Sequence, residues 1–117
     1  MLMLPPNTRI FISVDRVDMR RSINGLSLLV QDVLQQNPLS GHLFMFANKG
    51  GDKLKILYWD RNGFCLWYKR LEKHRFRLPK MSGKSYCVSV AELGMILEGI
   101  DLIEQRRLET LEYDKIN

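Results

Sequence analysis

Eleven Lys or Arg stand against three acids between Lys49 and Lys84, a local excess of +8, while the remainder holds seven basic and ten acidic residues. Within that stretch Lys53, Lys55, Arg61, Lys69, Arg70, Lys73, Arg75 and Arg77 could neutralise phosphates, and Trp59 and Trp67, with Tyr68, could stack on bases or sugars. Basic charge sets the affinity for nucleic acid and its salt dependence, and stacking adds ~1–3 kcal/mol per base on single strands. The plainer alternative is that both tryptophans are cross-strand packing partners and the lysines a solvated face. An acidic protein partner would also suit a basic patch on a mildly acidic body. Arg20 and Arg21 add a further choice: they pair with Asp15 or Asp18 or stay solvated, or they reach a phosphate at a helix start.

Catalytic chemistry finds little support. Two-metal phosphoryl transfer needs clustered carboxylates, whereas Asp18, Asp52, Asp60 and Glu72 are scattered over turn and cap positions. No phosphate-binding glycine loop, Gly-x-Ser-x-Gly or His-Glu-x-x-His is present. Cys65 and Cys87 are far apart, outside any Cys-x-x-Cys, and read as reduced thiols of a cytoplasmic protein. His42 and His74 lack the paired spacing of a zinc site, so neither metal nor cofactor is expected. No run approaches the roughly 18 apolar residues of a membrane helix. The start, MLMLPPNTR, lacks a basic leader region and its apolar run stops at Pro5, so no signal peptide is expected.

The elements that would position the basic residues follow from periodicity. Arg9 to Val14 alternates as a strand with Ile10, Ile12 and Val14 on one face. Asp18 is placed to cap a helix reaching Gln36, with Met19, Ile23, Leu26, Val30 and Val33 as its apolar stripe and Asn37-Pro38 as its stop. Gly25 inside that helix suggests a second backbone packed close by. Leu43 to Ala47 is apolar throughout, as in a strand buried on both faces. Asn48 to Asp52 is a turn, and Lys53 to Asp60 and Phe64 to Leu71 form a hairpin across Asp60-Arg61-Asn62-Gly63, with Gly63 as a left-handed bulge.

That three-residue loop would pair Asp60 with Phe64, Tyr58 with Leu66, Ile56 with Tyr68 and Leu57 with Trp67. It gathers Leu54, Ile56, Tyr58, Phe64, Leu66 and Tyr68 on a core face and sets Lys55 opposite Lys69. Like charges so opposed call for an anion or neighbouring carboxylates. Lys73 to Pro79 reads as a fourth, edge strand, with Arg75 and Arg77 on one side, and Tyr86 to Val88 as another short strand. Ser89-Val90-Ala91-Glu92 is a capping box opening a helix that Gly99 stops. The expected fold is a single α+β domain over residues 1–99: a twisted antiparallel sheet of four or five strands packed on one long N-terminal helix, with a second short helix near the C-terminus. Residues 100–117 form an acidic tail with a weak helical pattern.

Four blocks carry a family likeness: Asp18 to Leu26 (DMRRSINGL), Pro38 to Phe44 (PLSGHLF), Asp52 to Asp60 (DKLKILYWD) and Gly63 to Glu72 (GFCLWYKRLE). Together they resemble the TnpB accessory protein of the insertion-sequence-sixty-six (IS66-type) group of bacterial transposons, over about Arg9 to Gly99. The resemblance implies a small non-catalytic factor encoded beside a larger DDE-type transposase, which does the strand chemistry itself. The expected partners are DNA at the element ends, the transposase and the second accessory protein, with a homo-oligomer left open. The expected location is the cytoplasm, at the nucleoid. Two readings follow: DNA binding through the basic, aromatic-rich sheet surface, or docking on the transposase or the other accessory protein without DNA contact.

Overall fold

The middle strands are apolar on both sides because both faces of their sheet are covered. The computed structural model describes residues 4–99. In chain order these form β1 (Ile10–Ser13), α1 (Ile23–Asp32), β2 (Leu43–Ala47), β3 (Lys53–Asp60), β4 (Gly63–Arg70), β5 (Ser85–Val88) and α2 (Val90–Leu97). The strands make one sheet in the order β4-β3-β2-β1-β5. β1 and β2 run parallel, with Ile10 beside Leu43 and Ile12 beside Met45, and the other neighbours are antiparallel. A parallel pair needs a crossover, and α1 is part of it. The sheet is therefore mixed, not antiparallel as expected, and the helix after the first strand spans ten residues where a long one from Asp18 to Gln36 was expected.

One face packs Phe11, Phe44, Phe46 and Leu57 with Leu26, Val30 and Leu34 from α1 and its end. The other packs Ile10, Ile12, Leu43, Met45, Leu54, Ile56 and Val88 with Phe76 and with Leu93 and Ile96 of α2. The α2 capping box forms as expected: Glu92 N–H donates to Ser89 Oγ at 3.1 Å, and Ser89 N–H donates to Glu92 Oε1 at 3.1 Å. Gly99, at φ +80°, follows the helix end.

Three local expectations give way. Asp18 does not cap α1. It accepts from Arg20 N–H at 2.8 Å in a tight turn, and the helix begins only after Ser22. The hairpin loop has two residues, not three: Asp60 pairs with Gly63, Trp59 with Phe64, Leu57 with Leu66 and Ile56 with Trp67. Arg61 takes the positive φ (49°), and Gly63 does not. Since side chains alternate, a slip of one residue moves the whole of β4 to the opposite face relative to β3. Lys73 to Pro79 is not a strand. It crosses the α2 side of the sheet as irregular chain, with Phe76 buried and its N–H donating to the Gly51 carbonyl at 2.8 Å. The suggestion drawn from Gly25 also fails, because a Cβ there would meet only the Arg21 side chain, at 3.4 Å. The expected tail, residues 100–117, lies outside the described residues.

Candidate nucleic-acid interface

The register decides where each basic side chain goes. Lys53, Lys55, Leu57 and Trp59 share the α1 side with Arg70, Tyr68, Leu66 and Phe64, and Trp67 and Lys69 face the α2 side. Lys55 and Lys69, expected as an opposed pair, therefore point to opposite faces. Instead Lys53 lies across from Arg70, and Arg70 finds a carboxylate, Glu72 Oε1, 3.0 Å from its guanidinium.

Lys55 is 8% exposed and is not a surface cation. Its ammonium donates to the carbonyls of Met19 and Arg21, each at 2.8 Å, and lies 5.4 Å from the Tyr68 ring centroid. A buried charge costs several kcal/mol unless its donors are satisfied, and here two carbonyls and an aromatic face satisfy them. Those carbonyls would otherwise accept helical bonds, which is a physical reason for α1 to start late. Lys55 thus staples the β1–α1 connector, residues 14–22, to the sheet. Val17 adds to this by donating its N–H to the Ala47 carbonyl at 2.9 Å.

Lys69 does the equivalent on the other face, its ammonium donating to the Leu97 carbonyl at the end of α2 at 2.8 Å. Trp67 packs into the α2-side core and Trp59 meets Phe64 edge-on at 5.1 Å. Arg61 stands at the hairpin tip near Asp60, 3.7 Å away and roughly 25 Å along the strand from Lys53. Lys73, Arg75 and Arg77 line a shallow depression of about 300 Å3 with Glu72 and Glu98 beyond the sheet's other face. The ten residues expected to act as one surface are thus divided among two faces, a hairpin tip and a covering segment.

A different grouping does converge. Between the β1–α1 connector and the β2–β3 turn opens a cleft of about 930 Å3, lined among others by Arg16, Arg20, Lys49, Lys53 and Tyr68. Its single lining carboxylate, Asp18, is bound by Arg20 at 2.6 Å, and that hydrogen bond holds the carboxyl down at about 2. Asp52, at the far side of the turn, is lowered first by the Asn48 side-chain amide, which donates to it at 2.7 Å. Asn48 Oδ1 also accepts from Lys53 N–H at 3.0 Å, so the turn that carries Lys49 is ordered by its own side chains.

Arg16, Lys49 and Lys53 border the cleft with no carboxylate within ion-pair distance among the described residues. Arg16 and Lys49 were not singled out by spacing. Each lies in a polar connector just after a strand, and the parallel pairing of β1 with β2, which the sequence reading did not anticipate, brings those two strand ends together. His42 accepts from Arg9 N–H through Nδ1 at 3.0 Å, and no group of three metal-ligating side chains occurs among the described residues. No helix among them is long and apolar enough to cross a membrane.

Residues 8–107 match the family model described as IS66 Orf2 like protein. The chain is 43% identical over 101 residues to the protein y4hO of Sinorhizobium fredii, covering 85% of this chain and 88% of the relative. A second relative from that organism, y4jC, is 34% identical over 99 residues, covering 85% of each. No solved structure matches the chain. With its motif blocks and nearly its whole described length inside the match, the chain belongs to the IS66 Orf2-like family, an accessory rather than a catalytic family of IS66 transposons.

Proposed function

We propose that this protein serves transposition by holding DNA, with Arg16, Lys49 and Lys53 as its principal phosphate contacts. The observation that carries the reading is the convergence of these three cations on one concavity whose carboxylate is already occupied by Arg20. Phosphate contacts fix position and supply most of the salt-dependent affinity without reading sequence. Lys73, Arg75 and Arg77 would extend the track past the β2–β3 turn, because Gly50 borders both the cleft and the next depression, which Lys73 and Arg75 line. The protein would act in the cytoplasm at the nucleoid, with the element ends as its DNA.

Fluorescence anisotropy tests this with labelled single-stranded, duplex and element-end probes, each titrated across salt. Wild type is expected to lose affinity steeply as salt rises, and Lys49→Glu/Lys53→Glu to bind more weakly with a salt slope reduced by about 1 per lost contact. No binding to any probe at low salt would overturn the reading.

The second reading, docking on the transposase or the other accessory protein, is favoured by one specific feature. β4 is an eight-residue edge strand with no further strand beside it among the described residues. Such an edge offers unpaired backbone groups for strand addition. Co-elution with purified transposase in the absence of DNA is the outcome that would favour it.

A further inference from the structure

We propose that the cleft takes one unpaired nucleotide of a DNA strand, its base stacked on Tyr68 and its flanking phosphates held by Arg16, Lys49 and Lys53. This rests on the DNA-binding reading above and goes beyond it by naming the form of DNA preferred.

Tyr68 is the one large aromatic left half-exposed among the described residues, at 50%. The phenylalanines of the two cores are buried, Trp59 leans edge-on against Phe64, and Trp67 packs into the α2-side core. Tyr68 is also held in place: it sits directly across from Lys55 in the β3–β4 register, and the Lys55 ammonium lies over its ring. Because Lys55 is itself fixed by two backbone carbonyls, the ring is a prepared platform, and a base arriving on its open side has little ordering left to impose. The exposed part of the ring borders the cleft.

The shape of the cleft argues against a duplex as its occupant. Duplex readers push a helix or a two-stranded ribbon into the major groove. Here the half-exposed ring lies between the β1–α1 connector and the β2–β3 turn, and a base must leave the helical stack before its face can lie on that ring. Its volume, about 930 Å3, is within the range of roughly 300–1,000 Å3 that holds drug-sized ligands, so one nucleotide can be accommodated. Aromatic platforms combined with basic rims are how single strands are held without base readout. A base extruded from a mismatched or frayed duplex would present the same surface.

Two measurements on the full chain test the proposal. Anisotropy competition compares a mixed-sequence single strand with the duplex of the same length, for wild type, Tyr68→Ala, Tyr68→Trp and Lys49→Glu/Lys53→Glu. The single strand is expected to bind more tightly to wild type. Tyr68→Ala should weaken it roughly 5- to 150-fold and weaken duplex binding by less, so that the preference for the single strand is lost, and Tyr68→Trp should retain the preference. Photo-crosslinking of a strand carrying 5-iododeoxyuridine, mapped by mass spectrometry, should label the peptide containing Tyr68. Equal affinities of wild type and Tyr68→Ala for the single strand would overturn the nucleotide site. If the charge-reversed variant still lost affinity for both probes, the DNA-binding reading would stand without it. Absence of binding by wild type to either probe would remove both.

Discussion

The two faces of the sheet begin from similar materials and end differently. Each carries an apolar patch, each is covered in part by one helix, and each has a lysine that ends on backbone carbonyls. On the α2 side, Phe76, Leu93 and Ile96 pack over the strands with Trp67 and Leu71 beside them, and Lys69 ties down the end of α2. On the α1 side, α1 covers Phe11, Phe44, Phe46 and Leu57, and toward Lys53 and Tyr68 the covering is left to a connector that Lys55 holds. That incomplete cover leaves the cleft. The lesson concerns cations on strands: their role depends on what the register puts above them. A lysine under a connector becomes a structural tie, and those at its rim have no carboxylate within ion-pair distance among the described residues.

The largest effect should come from removing core volume on the α1 side. Phe44→Ala is expected to cost ~3–5 kcal/mol in denaturant unfolding, because a buried ring leaves a cavity between the strands and α1. Next is the comparison of the two lysine ties. Lys55→Met should cost ~1–3 kcal/mol, since it removes a buried ammonium that serves two part-buried carbonyls, and Lys69→Met, which frees one part-buried carbonyl, ~0.5–1.5 kcal/mol. Equal costs would mean that the two faces do not differ as described.

Smaller still are the hairpin substitutions. Gly63→Ala should change stability by less than about 0.5 kcal/mol, because nothing lies within 4 Å of a Cβ there and φ is not positive. Arg61→Gly should stabilise by up to about 1 kcal/mol by relieving the positive φ. The opposite pattern, Gly63→Ala costly and Arg61→Gly unfavourable, would indicate the three-residue loop.

The smallest effect concerns acid. Asp18 sits at about 2 in the folded protein against an ordinary 3.8, so the unfolded state takes up its proton first as pH falls. Its contribution is fully present above pH 3.8 and is lost as pH falls through about 2. Asp18→Asn should lower the melting temperature slightly near neutral pH, and the difference from wild type should vanish near pH 2.

Much of the fold was legible, and the reasons for the rest are specific. Leu43 to Ala47 announced a strand buried on both faces, and the Ser89–Glu92 capping box placed α2. The hairpin was visible but its register was not, because Asp-Arg-Asn-Gly is compatible with loops of two or three residues, and that choice alone decides whether Lys55 and Lys69 share a face. The start of α1 was misplaced because Asp18 is as good at closing a turn as at capping a helix, and the deciding partner, Lys55, is 36 residues from Met19. Lys73 to Pro79 alternates like a strand, yet what holds it is Phe76 in the core and one bond to Gly51. As for the site, the basic excess was legible in composition. Its division into structural ties and open cations depends on contacts distant in sequence.

The central claim is that DNA affinity lies with the cations at the cleft rim and not with the lysines tied to backbone carbonyls. The most direct test is salt-titrated anisotropy on one single-stranded probe, comparing Lys49→Glu/Lys53→Glu with Lys69→Met. The rim variant is expected to lose affinity and salt dependence, and Lys69→Met to bind as wild type wherever it remains folded by circular dichroism. Unchanged binding by the folded rim variant, with a loss for folded Lys69→Met, would contradict the account.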